Sequence, residues 1–300
     1  MSKNRIFALI AALALTLGIV GCNNRKSDTE LVTTNAALVD TGTATTTTGA
    51  VIVTTNALFE IVSAIGGDEI EVTSLLSGGE EIHHFEPTAR DAEALADAEL
   101  IIYNGLGLDD WAVELSGKTE AFAVTSEMSG LLDGDPHVWL SPKSATTMAN
   151  EICRKLTELY PESANVFEQN NAAFCLELRA LSDEFAPSLE NARLDTFVTG
   201  HAALGYLAAE FGLTQKSVAD VFSSGEPTPK QLMELADFCN GNGVKYVLSE
   251  SAAPLAVSET LANECGAEVV PVYTMESVED GLSFLARMRH NLETVLKAVT

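Results

Sequence analysis

The sequence predicts an α/β fold in two lobes, each a mostly parallel sheet covered by helices, joined by one long backbone helix, with a metal site in the cleft between the lobes. Three observations predict it. Short apolar, β-branched runs alternate with amphipathic helical runs over residues 51–126 and again from 194 to the end, the pattern of parallel strands with helical crossovers. A helical stretch over 162–185 separates the halves, and at ~1.5 Å per residue it reaches about 35 Å, the width of a small domain. His83, His137 and His201 each fall in a loop after a strand or just before a helix, where open α/β folds hold their ligands.

Taken in order, VIVTT (51–55) reads as a buried strand. Residues 56–65 carry apolar side chains at helical spacing, and Gly66-Gly67 stops them. EIEVTSLL (69–76) is the next strand and leads into GGEEIHHFEPTARD (78–91), the loop that holds His83 and His84. Residues 88–96 are helical, AELIIYNG (98–105) is a strand, and GLGLDDW turns toward a helix through Trp111. AFAVTS (121–126) is a further strand, after which DPHVWLSP delivers His137.

Residues 144–159 form one amphipathic helix and 162–185 the long one, with an apolar stripe that includes Val166, Phe167, Phe174, Leu178 and Leu181; Pro187 is expected just beyond its end. LDTFVTG (194–200) is a strand, 202–211 a helix closed by Gly212, and 216–221 a strand. Pro229 opens a helix to Cys239, which 240–243 (Asn-Gly-Asn-Gly) breaks. VKYVLSE (244–250), a helix over 254–265, AEVVPVY (267–273) and a terminal amphipathic helix over 282–299 complete the chain. The expected organisation is therefore a targeting segment (1–22), a tether (23–50), a first lobe (51–160), a linking helix (161–190) and a second lobe (191–300).

With 300 residues and 46% hydrophobic content the chain can build two cores. A net charge of −26 and a pI near 4.3 exclude nucleic acid as a partner and exclude a polybasic membrane patch. Lys3 and Arg5 precede an apolar run, 6–20, too short to span a bilayer, which ends at Gly21-Cys22. A small residue followed by cysteine at that point resembles a lipobox, so Cys22 is expected to be lipidated and to hold the protein at the membrane, outside the cytoplasm. The Thr-rich stretch that follows has no apolar period and reads as a flexible tether. Cys153, Cys175, Cys239 and Cys265 remain; an exported protein permits disulfides, and Cys239 with Cys265, near the ends of successive helices, is the better pair, buried thiols being the alternative.

One histidine in such a loop is more often a hydrogen-bonded structural residue; three at equivalent positions point to a shared ion. Tetrahedral zinc takes about four nitrogen, sulfur or oxygen ligands. Glu276, after the last strand, is the candidate for the fourth, the other reading being a first-turn carboxylate favoured by the helix dipole. Glu250, at the end of VKYVLSE, is the runner-up. Three imidazoles and one carboxylate suit Zn²⁺, whereas a more carboxylate-rich set leans to Mn²⁺. His84 and Glu86 read as exposed or supporting groups, His290 as unrelated, and Trp111 and Trp139 as packing. The rival class, an exported zinc hydrolase, would keep an open coordination position, but neither HExxH nor GxSxG is present.

The motifs VTTNALFEIVSAIGGDEIEVTSLL, IHHFEPTARD, ELIIYNGLGLDDW, DPHVWLSP, VTGHAALGYLAAEFGL and GEPTPKQL together resemble the lipid-anchored receptors of ABC importers for zinc and manganese, the A-I cluster of substrate-binding proteins. The resemblance covers nearly all of 51–300. It implies that His83 is the first ligand with His84 in the variable position, that a histidine at 201 marks a zinc-type member, and that the bound ion passes to a membrane permease from a monomeric receptor, with no catalysis. Two departures stand out: Glu276 occupies the place of a frequent aspartate, and the His-rich loop of many zinc members is missing. A stiff linking helix implies small tilts and loop motion rather than wide hinge closure.

Overall fold

β1 (Thr48–Val53) lies in the middle of its sheet, pairing in parallel with β2 (Ile70–Ser74) on one side and with β3 (Leu100–Tyr103) on the other; β4 (Glu120–Ala123) extends the sheet beyond β3. The computed structural model describes residues 48–76, 82–222, 228–250, 255–276 and 281–300. Cys22, the targeting segment and most of the Thr-rich stretch lie outside them. The second half repeats the plan with β5 (Thr196–Thr199), β6 (Thr214–Ser217), β7 (Tyr246–Glu250) and β8 (Glu268–Val272). The orders are β2-β1-β3-β4 and β6-β5-β7-β8, every pairing parallel. Parallel neighbours need crossovers, and helices supply them. The two-lobed α/β fold expected from the sequence is the fold observed.

The helices are α1 (Asn56–Gly66), α2 (Ala89–Asp97), α3 (Trp111–Leu115), α4 (Pro142–Leu159), α5 (Ala164–Leu189), α6 (Gly205–Glu210), α7 (Pro229–Asn242), α8 (Leu255–Cys265) and α9 (Phe284–Val299). Local chemistry sets their ends. Thr55 caps α1 by accepting from the Leu58 amide, and Gly67, at φ 56°, ends it in a conformation that costs glycine little. Thr88 and Asp91 form a reciprocal capping box on α2.

Four elements differ from expectation. α5 runs through Pro187 and on to Leu189. In that final turn the proline forfeits one backbone bond, and burial of Phe185 and Leu189 on either side offsets the loss. α7 passes through Gly241 and stops only at Gly243, at φ 63°, whose amide closes the helix on Cys239 O; an interior glycine costs about 1 kcal/mol, and Asn242 Nδ2, donating to Phe238 O at 2.8 Å, helps to offset it. β6 starts two residues earlier than the apolar pattern suggests, and α6 is shorter.

α5 has 26 residues, about 39 Å of helix. Its buried stripe of Phe167, Phe174, Leu178, Leu181, Phe185 and Leu189 packs on α1 and α4 from the first lobe and on α9 from the second. One hydrophobic core therefore continues through both lobes, with smaller clusters under α7–α8 and under α2–α3. A second tie is ionic: Arg287 of α9, 1% exposed, places Nη1 2.6 Å from Glu60 Oε1 of α1. No described helix is long and apolar enough to cross a membrane.

Candidate metal centre

The site collects at the carboxyl ends of both sheets. His83 lies in a short turn, Ile82–His84, whose Ile82 is buried in the core. His137 lies beyond β4 after Asp135-Pro136, His201 two residues beyond β5, and Glu276 just beyond β8. Candidate ligating atoms of the three histidines all lie within 4.8 Å of one another, and among the described residues no other group of this kind occurs. Their rings stand edge-on, with centroids 4.8 to 5.3 Å apart.

Each imidazole is held by the chain. His137 donates from Nδ1 to Asp135 Oδ1 at 2.9 Å, which fixes the tautomer and turns the Nε2 lone pair toward His83 Nε2, 3.2 Å away. Two nitrogens on one tetrahedral zinc, at ~2.05 Å from the ion, would lie about 3.4 Å apart, so this pair already has the spacing of two ligands. The Asp135 loop is braced in turn: Asn104 donates to Pro136 O at 3.0 Å. Asn104 is itself set by Asp109, whose carboxylate accepts from the Thr54 hydroxyl and from the amides of Asn104 and Gly105. Burial pushes Asp109 up to about 6, against those three hydrogen bonds. The segment it gathers takes positive φ at Gly105, Leu106 and Gly107.

His201 is clamped through its backbone. Its amide donates to Glu250 Oε1 at 3.3 Å, and its carbonyl accepts from Thr199 Oγ1 at 2.5 Å and Gln215 Nε2 at 2.9 Å. Its Nε2 donates to Val221 O at 3.1 Å, so in this arrangement the lone pair sits on Nδ1. Phe222 follows, its ring edge-on to His83 at 5.9 Å. Burial, then the neighbouring His137 and His201, lower the pKa of His83 from 6.5 to about 3. Such a cluster disfavours protons and leaves a neutral donor for a cation.

Glu276 is buried at 2% exposure, with Oε1 4.0 Å from His83 Nε2 and 3.9 Å from His137 Nε2. Met275, buried and at φ 59°, bends the chain after β8, and Trp139 Nε1 donates to Thr274 O at 2.7 Å, pinning that bend. A residue other than glycine held at positive φ stores strain that its surroundings must hold in place. Glu250, the other candidate oxygen donor, backs the His201 amide and packs on Gly200, and burial pushes it up to about 8.

His84 and Glu86 are exposed, and His290 bonds Pro271 O. Trp139 is fully buried, as expected of a packing residue, yet its N–H also positions the Glu276 turn. Asp135, Asn104, Gln215 and Phe222 were not foreseen; only Asp135, two residues before His137, leaves a local signal. Cys239 and Cys265 are free thiols and neighbours, burial and then the Cys265 thiol raising the pKa of Cys239.

Residues 51–298 match the family described as zinc-uptake complex component A, periplasmic. The chain belongs to this family. The description is that of an uptake component and not of a catalyst. Among relatives, a candidate metal-binding protein of Treponema pallidum is 35% identical over 80% of this chain and 84% of its own. Zinc-binding lipoprotein AdcA of Streptococcus pneumoniae is 28% identical over 97% of this chain but only 60% of its own length; the chain thus spans about three-fifths of that relative. Among solved structures, the laminin-binding protein of Streptococcus agalactiae, described as bifunctional with adhesin and metal-transporting activity, superposes with a TM-score of 0.79 at 29% identity, covering 84% of this chain and all of that one.

Proposed function

We propose that this protein is an extracytoplasmic receptor that captures Zn²⁺ through His83, His137, His201 and Glu276 and hands it to the membrane permease of an ABC importer. The observation that carries the reading is the convergence of three imidazoles, delivered by three separate loops, within 4.8 Å. Zinc, the cargo, is favoured by three nitrogen donors and one carboxylate; a manganese site would draw more oxygen. Membership in the zinc-uptake family and the zinc-binding name of the pneumococcal relative support the same ion.

Glu276 completes the set by an advance of about half an ångström, since its 3.9–4.0 Å separations exceed the roughly 3.4 Å spacing of tetrahedral ligands. The receptor works as a monomer held by lipid on Cys22, with the residues from 23 to the start of β1 as its tether, a reading supported by the Gly21-Cys22 ending and by the lipoprotein name of the pneumococcal relative. The two lobes share a core and a backbone helix, which favours release by small tilts and loop motion on docking over wide hinge opening. Cys239 and Cys265 form a disulfide when a small-molecule disulfide accepts their two electrons; alkylation and mass measurement with and without oxidised glutathione tests that pairing.

Metal analysis of protein purified without chelator tests the reading as a whole. Wild type carries one zinc per chain and His201→Ala carries far less. Full occupancy in the variant would move the site elsewhere.

A further inference from the structure

His137 and His201 come from different lobes, yet one short helix ties them together. α6 begins four residues after His201 and carries Gly205, Tyr206 and Glu210. The Tyr206 hydroxyl donates to Asp135 O at 2.9 Å and accepts from the Leu132 amide at 3.1 Å, so it closes the loop that leads into His137. Gly205 lies against the Asp135 carboxylate itself: a Cβ there would stand 2.5 Å from Oδ2. Glu210, one helical turn on, accepts from the Lys143 amide at 2.9 Å and from the hydroxyls of Ser141 and Ser182 at 2.5 Å, holding the start of α4 and the C-terminal part of α5. The segment 132–143 is therefore gripped on both sides of His137 by the element that follows His201. Tyr206 is 4% exposed, so these bonds operate away from water, where leaving the Leu132 N–H without a partner is costly.

We infer that α6 is a clamp that presets the His137–His201 half of the zinc site, with Tyr206 as a positioning residue acting on His137 through the Asp135 loop. The inference rests on the zinc reading above and adds a division within the site: two ligands fixed to each other across the lobes before the ion arrives, and His83 outside that clamp. Removing the hydroxyl frees the Asp135 carbonyl and the Leu132 amide together, which lets the Asp135 carboxylate drift from His137 Nδ1. Partners that orient a metal-binding histidine are commonly worth 10- to 100-fold in metal affinity.

The test is a double-mutant cycle on the full chain, reading Zn²⁺ affinity by competition with a weak chromophoric chelator. Tyr206→Phe should weaken zinc about 10- to 100-fold in wild type and by the same factor in a His83→Ala background. In a His137→Ala background the loss should shrink to within about threefold, because the residue it positions is gone. Gly205→Ala, which displaces the Asp135 carboxylate while leaving every hydrogen-bonding group in place, should follow the same pattern. Equal losses in the His137→Ala and His83→Ala backgrounds would overturn the clamp, since a general loosening of the fold acts on every ligand alike. A wild-type chain that binds no zinc would instead sink the zinc reading, a distinguishable result.

Discussion

Acid should weaken the metal-free fold through one residue. His83 titrates near 6.5 in the unfolded chain and near 3 in the folded one, because burial and two neighbouring imidazoles exclude its proton. A base with a depressed folded pKa costs stability where the unfolded state holds the proton and the folded state does not, so stability falls as pH drops below about 6.5 and levels off near 3. Between pH 7 and pH 5 the linkage integral for these two values is about 2 kcal/mol. The side chain is 2% exposed, so solvent screening discounts this little. Urea denaturation of metal-free protein at both pH values, wild type beside His83→Gln, measures it: wild type should lose about 2 kcal/mol more than the variant. Parallel losses would refute the assignment of a proton-excluding cluster at His83. The same depression means that proton competition for His83 begins well below the pH 7 to 5 window in which an unperturbed imidazole would lose zinc.

Other outcomes follow from packing and polar contacts. Glu60→Ala removes the carboxylate 2.6 Å from the buried Arg287 guanidinium and should cost about 3 kcal/mol by urea midpoint, while Glu60→Gln should cost less. Trp139→Phe loses the hydrogen bond to Thr274 O; stability should drop by about 1 kcal/mol and zinc affinity about tenfold as the Met275 bend relaxes. Unchanged affinity there would reduce Trp139 to packing alone. Gly200→Ala puts a Cβ 2.6 Å from Ser258 Oγ and 3.0 Å from Glu250 Oε2 and should cost about 1–3 kcal/mol in thermal scans, part of which Ser258→Ala restores.

Much of this was legible in the chain because it is locally encoded. Alternating apolar runs and caps such as Thr88 with Asp91 signal their elements within a few residues. The three histidines could be grouped because each follows a strand end, and parallel strands put those ends on one side. Strand order was not legible, since nothing in β1 states that it will pair with both β2 and β3. Nor were the supports: Tyr206 meets Asp135 from 71 positions away, and Trp139 meets Thr274 from 135. Pro187 and Gly241 misled for the opposite reason, a strong local signal overruled by what lies just beyond it: the buried Leu189 in α5, and in α7 the Gly243 amide that closes the helix on Cys239 O.

Because His83, His137, His201 and Glu276 each hang from a different strand end, none can find the others until both sheets are formed and docked. Pairings so distant in the chain are made late in folding. The ion therefore cannot template the fold as it does in a zinc finger, but must be caught by a protein already folded. Once caught, it tightens the native state by mass action, about 2.7 kcal/mol at a hundredfold excess over its dissociation constant. A loaded receptor should thus outlast an empty one against proteases, which makes survival time outside the cytoplasm a record of how much zinc was there.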